Sequence, residues 1–221
     1  LRGHGDSFWS EKGDYKIHDH KKDLISIIKH HDKPANLVGA SLGGMTSLSL
    51  AGDPDYFSLC KTLTMVDIGI YPNQDGSDRI VEFMRSAENG FSSLEEAADY
   101  ISDFLPHREK PKNLSGLHKN LRKKDDRFYW HWDPKFLQGR QGQDIKEYFG
   151  HLEKAANFLN IPTLLIRGGL SDVLTEEDKD YFLKVVSHAE FEEISNAAHM
   201  VAGDKNDIFS KAVEKFLVKN N

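Results

Sequence analysis

The stretch Gly39-Ala40-Ser41-Leu42-Gly43-Gly44 decides the fold, because it is a G-x-S-x-G sequence between an apolar run and a helix-like run. Residues 35–38 before it predict a short buried strand, and residues 45–51 after it predict a helix. Ser41 would therefore lie on a sharp turn from strand to helix, where small neighbours allow a strained backbone. We expect the glycines at 39, 43 and 44 to meet that steric demand.

Ser41 can act as a nucleophile only with help, because a serine hydroxyl needs a base to take its proton and a carboxylate to orient that base. In this type of turn the chain order is serine, acid, histidine, each on a loop after a strand. Asp172 follows an apolar run at 161–167, and His199 follows a strand predicted at 191–194. Three strand ends would then bring these side chains to one side of a parallel sheet.

Four motifs together resemble the α/β-hydrolase family: residues 2–7 (Arg-Gly-His-Gly-Asp-Ser), 39–44, 165–172 and 197–200. They are spread over nearly the whole chain. A lone G-x-S-x-G is weak evidence, whereas four ordered motifs in matching strand and loop contexts are specific. The resemblance implies an α/β class protein with the α/β-hydrolase fold, in which helices flank a parallel sheet, and a serine esterase or lipase type of Ser-Asp-His triad.

The resemblance also implies a domain organisation. Residues 1–69 and 158–221 would form the hydrolase core, and residues 70–157, which lack a strand signal, would form a helical cap between family strands six and seven. Caps of this kind restrict access to the site and shape the acyl pocket. Residues 2–7 resemble the loop after the fourth strand, so we expect the N-terminal strands to be missing and strands five to eight to remain as one parallel sheet.

One oxyanion donor would be the backbone N–H of Leu42, the residue after the nucleophile. On this interpretation the second donor would lie before residue 1. His4 and Gly5 also resemble the family's His-Gly oxyanion loop, but the arginine before them and the Asp-Ser after them match the later loop better.

Asp67 is a rival for the orienting carboxylate. It ends a strand predicted at 62–67 and could reach the histidine if the acid lay on that strand. We favour Asp172, because its loop follows the penultimate strand, where the family usually places this group. Asp204 is interpreted as a surface or turn residue.

Composition limits the partners and the location. The 221 residues carry a net charge of -6, with no broad basic surface, which argues against nucleic acid. No apolar stretch approaches the roughly 20 residues that span a bilayer. Cys60 is the only cysteine, so no internal disulfide can form, and we expect a reducing, cytoplasmic location. Oligomeric state is not readable from the sequence.

Three other patterns of the sequence concern packing, metal binding and charge. The aromatic run at 128–134 could line an apolar acyl site, but packing inside the cap is favoured. The histidines at 18, 20, 30 and 31 lack the spacing of a metal site, so we expect solvated side chains and no bound metal. The mixed charge run at 122–127 is interpreted as a solvated face.

The resemblance implies an enzyme that needs no cofactor and cleaves a small-molecule ester or related acyl bond, with an apolar group in the substrate. Ser41 would attack the carbonyl, His199 would act as base, Asp172 would hold the imidazole, and Leu42 would stabilise the oxyanion. A serine at this turn argues against epoxide hydrolases and haloalkane dehalogenases, which use aspartate. C–C bond hydrolases, lactonases and cofactor-free haloperoxidases or perhydrolases stay open, as does a non-catalytic small-molecule receptor.

Overall fold

A computed structural model describes residues 1–108, 110–138 and 145–220. Its strands are β1 (Ala35–Ala40), β2 (Cys60–Val66), β3 (Leu121–Lys124), β4 (Arg127–Trp130), β5 (Thr163–Gly168) and β6 (Glu190–Ile194). Its α-helices are α1 (Ile17–His31), α2 (Leu42–Ala51), α3 (Gln74–Ser86), α4 (Leu94–Phe104), α5 (Ile145–Phe158), α6 (Glu176–Val185), α7 (Val201–Asp204) and α8 (Asn206–Lys219). Short 3-10 helices cover Pro54–Leu59, Leu114–Lys119 and Pro134–Leu137.

The chain divides into two compact units. The sheet unit comprises Lys16–Ser77 and Gly142–Asn221, and the hairpin unit comprises Leu1–Tyr15 and Asp78–Gln141. This division differs from the expected core at 1–69 and 158–221 and cap at 70–157. That the hairpin unit acts as a cap stays a prediction.

The sheet unit contains a four-stranded sheet in the order β1-β2-β5-β6, with every pair parallel. The predicted α/β fold with a parallel sheet is confirmed. All residues of β5 are buried, and β2 exposes only Lys61, because the two central strands are covered on both faces. The edge strand β6 is largely exposed and correspondingly rich in glutamate.

Helices cover this sheet through their apolar faces. Most of α2 is buried, including Leu48 and Leu50 with no exposed surface, as expected for a helix that is apolar around its circumference. On α8, Phe216 packs into a cluster with Ile166 of β5 and Ile194 of β6. Helix α8 and the strands β2, β5 and β6 therefore share one hydrophobic core.

The hairpin unit contains an antiparallel pair, in which β3 and β4 are joined through Asp125 and Asp126. The expectation of a cap without strands is therefore wrong. The sequence pattern of a β-hairpin is weak here because β3 has the sequence Leu-Arg-Lys-Lys. Its turn is Asp-Asp rather than the Asn-Gly or Asp-Gly that marks tight hairpins. Asp125 nevertheless adopts a positive φ of 52°.

The aromatic run at 128–134 takes part in the packing of this hairpin. Trp130 is buried in a cluster with Phe91 and Leu121, and Phe128 packs against it. Trp132 stacks on Trp130 with ring centroids 4.7 Å apart. These contacts agree with the favoured interpretation as core packing.

Hydrogen bonds explain why residues 1–15 and helix α5 belong to other units than expected. In the hairpin unit, Asp133 N donates to Gly3 O at 2.8 Å, and the Tyr15 hydroxyl donates to Asp133 Oδ2 at 2.5 Å. In the sheet unit, the Tyr71 hydroxyl donates to Glu153 Oε2 of α5 at 2.8 Å. The first residues thus belong with the hairpin, and α5 belongs with the sheet.

Candidate active site

Ser41 occupies the predicted turn in a strained conformation, with φ 50° and ψ -119° between β1 and α2. A Cβ on Gly39 would lie 2.4 Å from Gly43 O, and a Cβ on Gly44 would lie 2.5 Å from Ile68 Cγ2. Gly43 differs, because a Cβ there would meet nothing within 4 Å. The steric demand is therefore met at positions 39 and 44, whereas position 43 tolerates a larger side chain.

Backbone hydrogen bonds hold this turn against the neighbouring strand. Ser41 N donates to Val66 O at 3.2 Å, which ties the serine to the end of β2. Leu42 is the first residue of α2, so its N–H has no acceptor within the helix. The positive end of the helix dipole lies at the same place. Leu42 N–H is thus suited to stabilise an oxyanion.

Asp67 directly follows β2 and is fully buried. Its Oδ1 accepts a hydrogen bond from Gly168 N at 2.7 Å. Its Oδ2 accepts from Ser171 Oγ at 2.5 Å and lies 2.9 Å from His199 Nδ1. A buried carboxylate requires such donors, since an unpaired charge is costly away from water. Asp67 is thereby fixed as a hydrogen-bond partner of the histidine.

The carboxylate that the structure places against His199 is that of Asp67, the rival of the favoured Asp172, so Asp67 is the acid of the site proposed below. A neutral imidazole has one N–H, and when that proton is on Nδ1 of His199 it points to Asp67 Oδ2. The Nε2 lone pair then remains available to accept a proton. The loop that contains Asp172 is also held from another side, because Asn73 N, just before α3, donates to Val173 O at 2.9 Å.

His199 lies in the loop after β6, as predicted, and its side chain is 14% exposed. Asp204 Oδ2 accepts from Ala198 N at 2.8 Å and so holds the preceding residue in place. Leu170 N donates to Ala197 O at 2.8 Å, which joins this loop to the loop after β5. Two strand-end loops therefore fix the histidine together.

Sequence reasoning missed Ser171. Its Oγ donates to Asp67 and accepts from Val173 N and Leu174 N, both at 3.2 Å. The residue sits within Gly-Gly-Leu-Ser-Asp, where the adjacent Asp172 offered the more familiar triad chemistry. Only the folded loop reveals that Ser171 contacts the carboxylate of Asp67.

The expectation of solvated histidines is wrong for His20, which is buried on α1 because its side chain faces the interior of the sheet unit. Across residues 1–108, 110–138 and 145–220, no group of three or more His, Cys, Asp or Glu side chains is arranged to hold a metal ion. Cys60 is buried, and burial raises the pKa of its thiol to about 11, which keeps it protonated near neutral pH. Among the helices that the structure describes, none is long and apolar enough to cross a membrane.

Comparison with known proteins gives concordant results. A family model described as the alpha/beta hydrolase fold matches residues 1–205. The chain is 28% identical over 186 residues to esterase Rv0045c of Mycobacterium tuberculosis, a match that covers 80% of this chain and 59% of that protein. It is 27% identical over 240 residues to the mouse sn-1-specific diacylglycerol lipase ABHD11, covering 98% of this chain and 69% of the lipase.

Solved structures share the same architecture. The crystal structure of an E-2-(acetamidomethylene)succinate hydrolase superposes with a TM-score of 0.84 at 19% identity, over 98% of this chain and 78% of that one. A crystal structure of the mycobacterial esterase Rv0045c gives a TM-score of 0.77 at 27% identity, over 98% of this chain and 73% of that one.

Proposed function

Because the chain belongs to the α/β-hydrolase fold family, we propose that it is a serine hydrolase that cleaves carboxylic esters through an acyl-enzyme intermediate. The observation that carries the proposal is the hydrogen bond between the buried Asp67 and His199 Nδ1. This pair lies at the same carboxyl end of the parallel strands as the strained Ser41. Similarity to an esterase and to a diacylglycerol lipase supports this class of reaction.

In the proposed mechanism His199 Nε2 takes the proton of Ser41 as the hydroxyl attacks the ester carbonyl. The imidazolium that forms is stabilised by the charge of Asp67, which also keeps the proton on Nδ1 before the reaction. The N–H of Leu42 donates to the oxyanion of the tetrahedral intermediate. His199 then protonates the leaving alcohol, and water activated by the same residue releases the acid.

An apolar group in the substrate is supported by the residues beside the catalytic loops. Leu170 precedes Ser171 and is 54% exposed, and Met200 follows His199 and is 52% exposed. The hydrogen bond from Leu170 N to Ala197 O brings their two loops together. Exposed apolar side chains at such a place can bury a hydrocarbon group of the substrate, which gives binding free energy in proportion to the area covered.

The first experiment measures hydrolysis of p-nitrophenyl esters of increasing acyl length by the protein and by its Ser41→Ala variant. We expect turnover that the substitution abolishes, with a preference for one range of acyl length. Both proteins should bind a given ester with similar affinity. A folded wild-type protein that binds esters without turnover would contradict the proposal and favour a receptor, and turnover of a lactone or β-diketone alone would favour a lactonase or C–C hydrolase.

A further inference from the structure

Arg167 is a buried arginine with 7% of its surface exposed. It is the last but one residue of β5, just before the loop that contains Ser171. Its Nε donates to Leu174 O at 2.8 Å. Its Nη1 lies 2.5 Å from Glu193 Oε2 and 2.7 Å from Glu176 Oε1. A buried guanidinium of this kind is retained only where charged and polar partners surround it.

The bond from Arg167 to Leu174 closes a loop whose other residues bind the orienting acid. Within this loop Gly168 N donates to Asp67 Oδ1, and Ser171 Oγ donates to Asp67 Oδ2. Leu174 N in turn donates to Ser171 Oγ at 3.2 Å. The residue whose carbonyl the arginine holds is thus the same residue whose amide fixes Ser171.

We propose that Arg167 is a positioning residue for the catalytic histidine. It acts through the loop that it closes, which supplies two hydrogen-bond donors to Asp67. Its effect on turnover rests on the function proposed above. The geometry of the loop does not depend on that function.

Glu193 and Glu176 contact Arg167 in a different way from the Leu174 carbonyl, because they are charged partners of the guanidinium. Glu193 is the register partner of Arg167 across β5 and β6, and Glu176 begins α6. The ammonium of Lys179 and then the guanidinium of Arg167 lower the pKa of Glu176, so it stays ionised at neutral pH. Both carboxylates neutralise the buried charge through their contacts with Nη1 of Arg167.

The test is the Arg167→Lys variant, which keeps the positive charge but lacks the rigid fork that binds Leu174 O and the carboxylates together. A loosened loop withdraws donors from Asp67, and a carboxylate with fewer donors is more basic and favours the imidazolium. We expect the apparent pKa of the acid limb of kcat/KM to rise by about half a unit to one unit, with kcat about tenfold lower and KM little changed.

Glu193→Gln and Glu176→Gln are the matched controls, because each removes one ion pair and leaves the bond from Arg167 to Leu174. We expect kcat within about twofold of wild type and no rise in the acid limb, since loss of a nearby negative charge can only lower the pKa of a histidine. Arg167→Met separates charge from geometry. A rise in the Met variant but not in the Lys variant would mean that only the charge matters and would overturn the proposal.

A second readout does not require turnover. The low-field proton resonance of His199 Nδ1–H and the pH titration of that ring report the bond to Asp67 directly. We expect the resonance to broaden or shift in Arg167→Lys and to stay in place in Glu193→Gln. If the protein hydrolyses no ester but this difference is seen, the proposed function fails and the positioning role stands. Unchanged spectra in a folded Arg167→Lys protein would overturn it.

The effects of Arg167→Lys and Ser171→Ala should also not add. If the arginine acts through the loop that contains Ser171, the shift of the acid limb in the double variant is smaller than the sum of the two single shifts. Independent shifts that sum in the double variant would place Arg167 outside this chain of contacts and would contradict the proposal.

Discussion

The loops after β2 and after β5 each present an aspartate beyond a buried strand, yet they do different things. Asp67 comes immediately after Val66 of β2, so it lies at the carboxyl end of the sheet, between the ends of β1 and β5. Asp172 comes four positions after the end of β5, directly after the Ser171 that bonds Asp67. The loop after β2 supplies the charge, and the loop after β5 supplies the donors Gly168 and Ser171 that hold it. The aspartate that bonds His199 is thus the one directly at a strand end.

The largest expected effect tests which loop supplies the charge. Asp67→Asn should lower kcat by about 10³–10⁴-fold, because an amide at this place favours the wrong imidazole tautomer and cannot stabilise the imidazolium. Asp172→Asn, the matched control, should change kcat by less than about tenfold. Steady-state hydrolysis of a p-nitrophenyl ester measures both. The reverse order of effects would return the role to Asp172.

The steric comparison within the serine turn gives a large effect on folding. A Cβ at Gly39 would overlap the Gly43 carbonyl at 2.4 Å, whereas a Cβ at Gly43 meets nothing within 4 Å. We expect Gly39→Ala to lower the free energy of unfolding by about 1–3 kcal/mol or more, as overpacking does. Gly43→Ala should change it by less than about 1 kcal/mol, because alanine suits a helix. Urea unfolding checks both, and equal losses would refute the packing argument.

A smaller effect tests the donors from the loop after β5. Ser171→Ala removes a hydrogen bond to the ionised Asp67, which is worth about 1.5–3 kcal/mol for a charged acceptor. We expect kcat to fall about tenfold and the acid limb of kcat/KM to move to higher pH, because the carboxylate becomes more basic.

Ser195→Ala is the control for that prediction, since Ser195 is an exposed serine in the neighbouring loop after β6. It should leave both kcat and the pH profile unchanged. A similar loss of activity in the two alanine variants would mean that the effect of Ser171 is not specific to Asp67.

The smallest expected effect concerns stability at high pH. Burial first, and then the hydrogen bond to Glu153, raise the pKa of Tyr71 from 10.0 to about 12. A raised pKa favours the neutral phenol in the folded state, so this stabilisation is present below about pH 10 and is lost as the pH rises towards 12. The difference in unfolding free energy between wild type and Tyr71→Phe should therefore shrink over that range in urea titrations. A constant difference would contradict the shift.

Some of the site could be predicted because its signals are local. Ser41 needs glycines at its own turn, and His199 sits between a short strand and the final helices, so both were found from neighbouring residues. The hairpin of β3 and β4 was not predicted, and the reason is also local. Its first strand is mostly basic and its turn lacks glycine, so neither alternation nor turn chemistry marked it.

The sequence by itself determined the fold class and predicted where Ser41 and His199 lie, on the turn after one strand and the loop after another, because periodicity, turn chemistry and chain order are properties of adjacent residues. Only the tertiary structure decided that Asp67 rather than Asp172 bonds His199, that Ser171 supports it, and that residues 1–15 pack with the hairpin. Those outcomes depend on which strand ends and loops meet in space. Such contacts join residues far apart in the chain, and no short stretch of sequence encodes them.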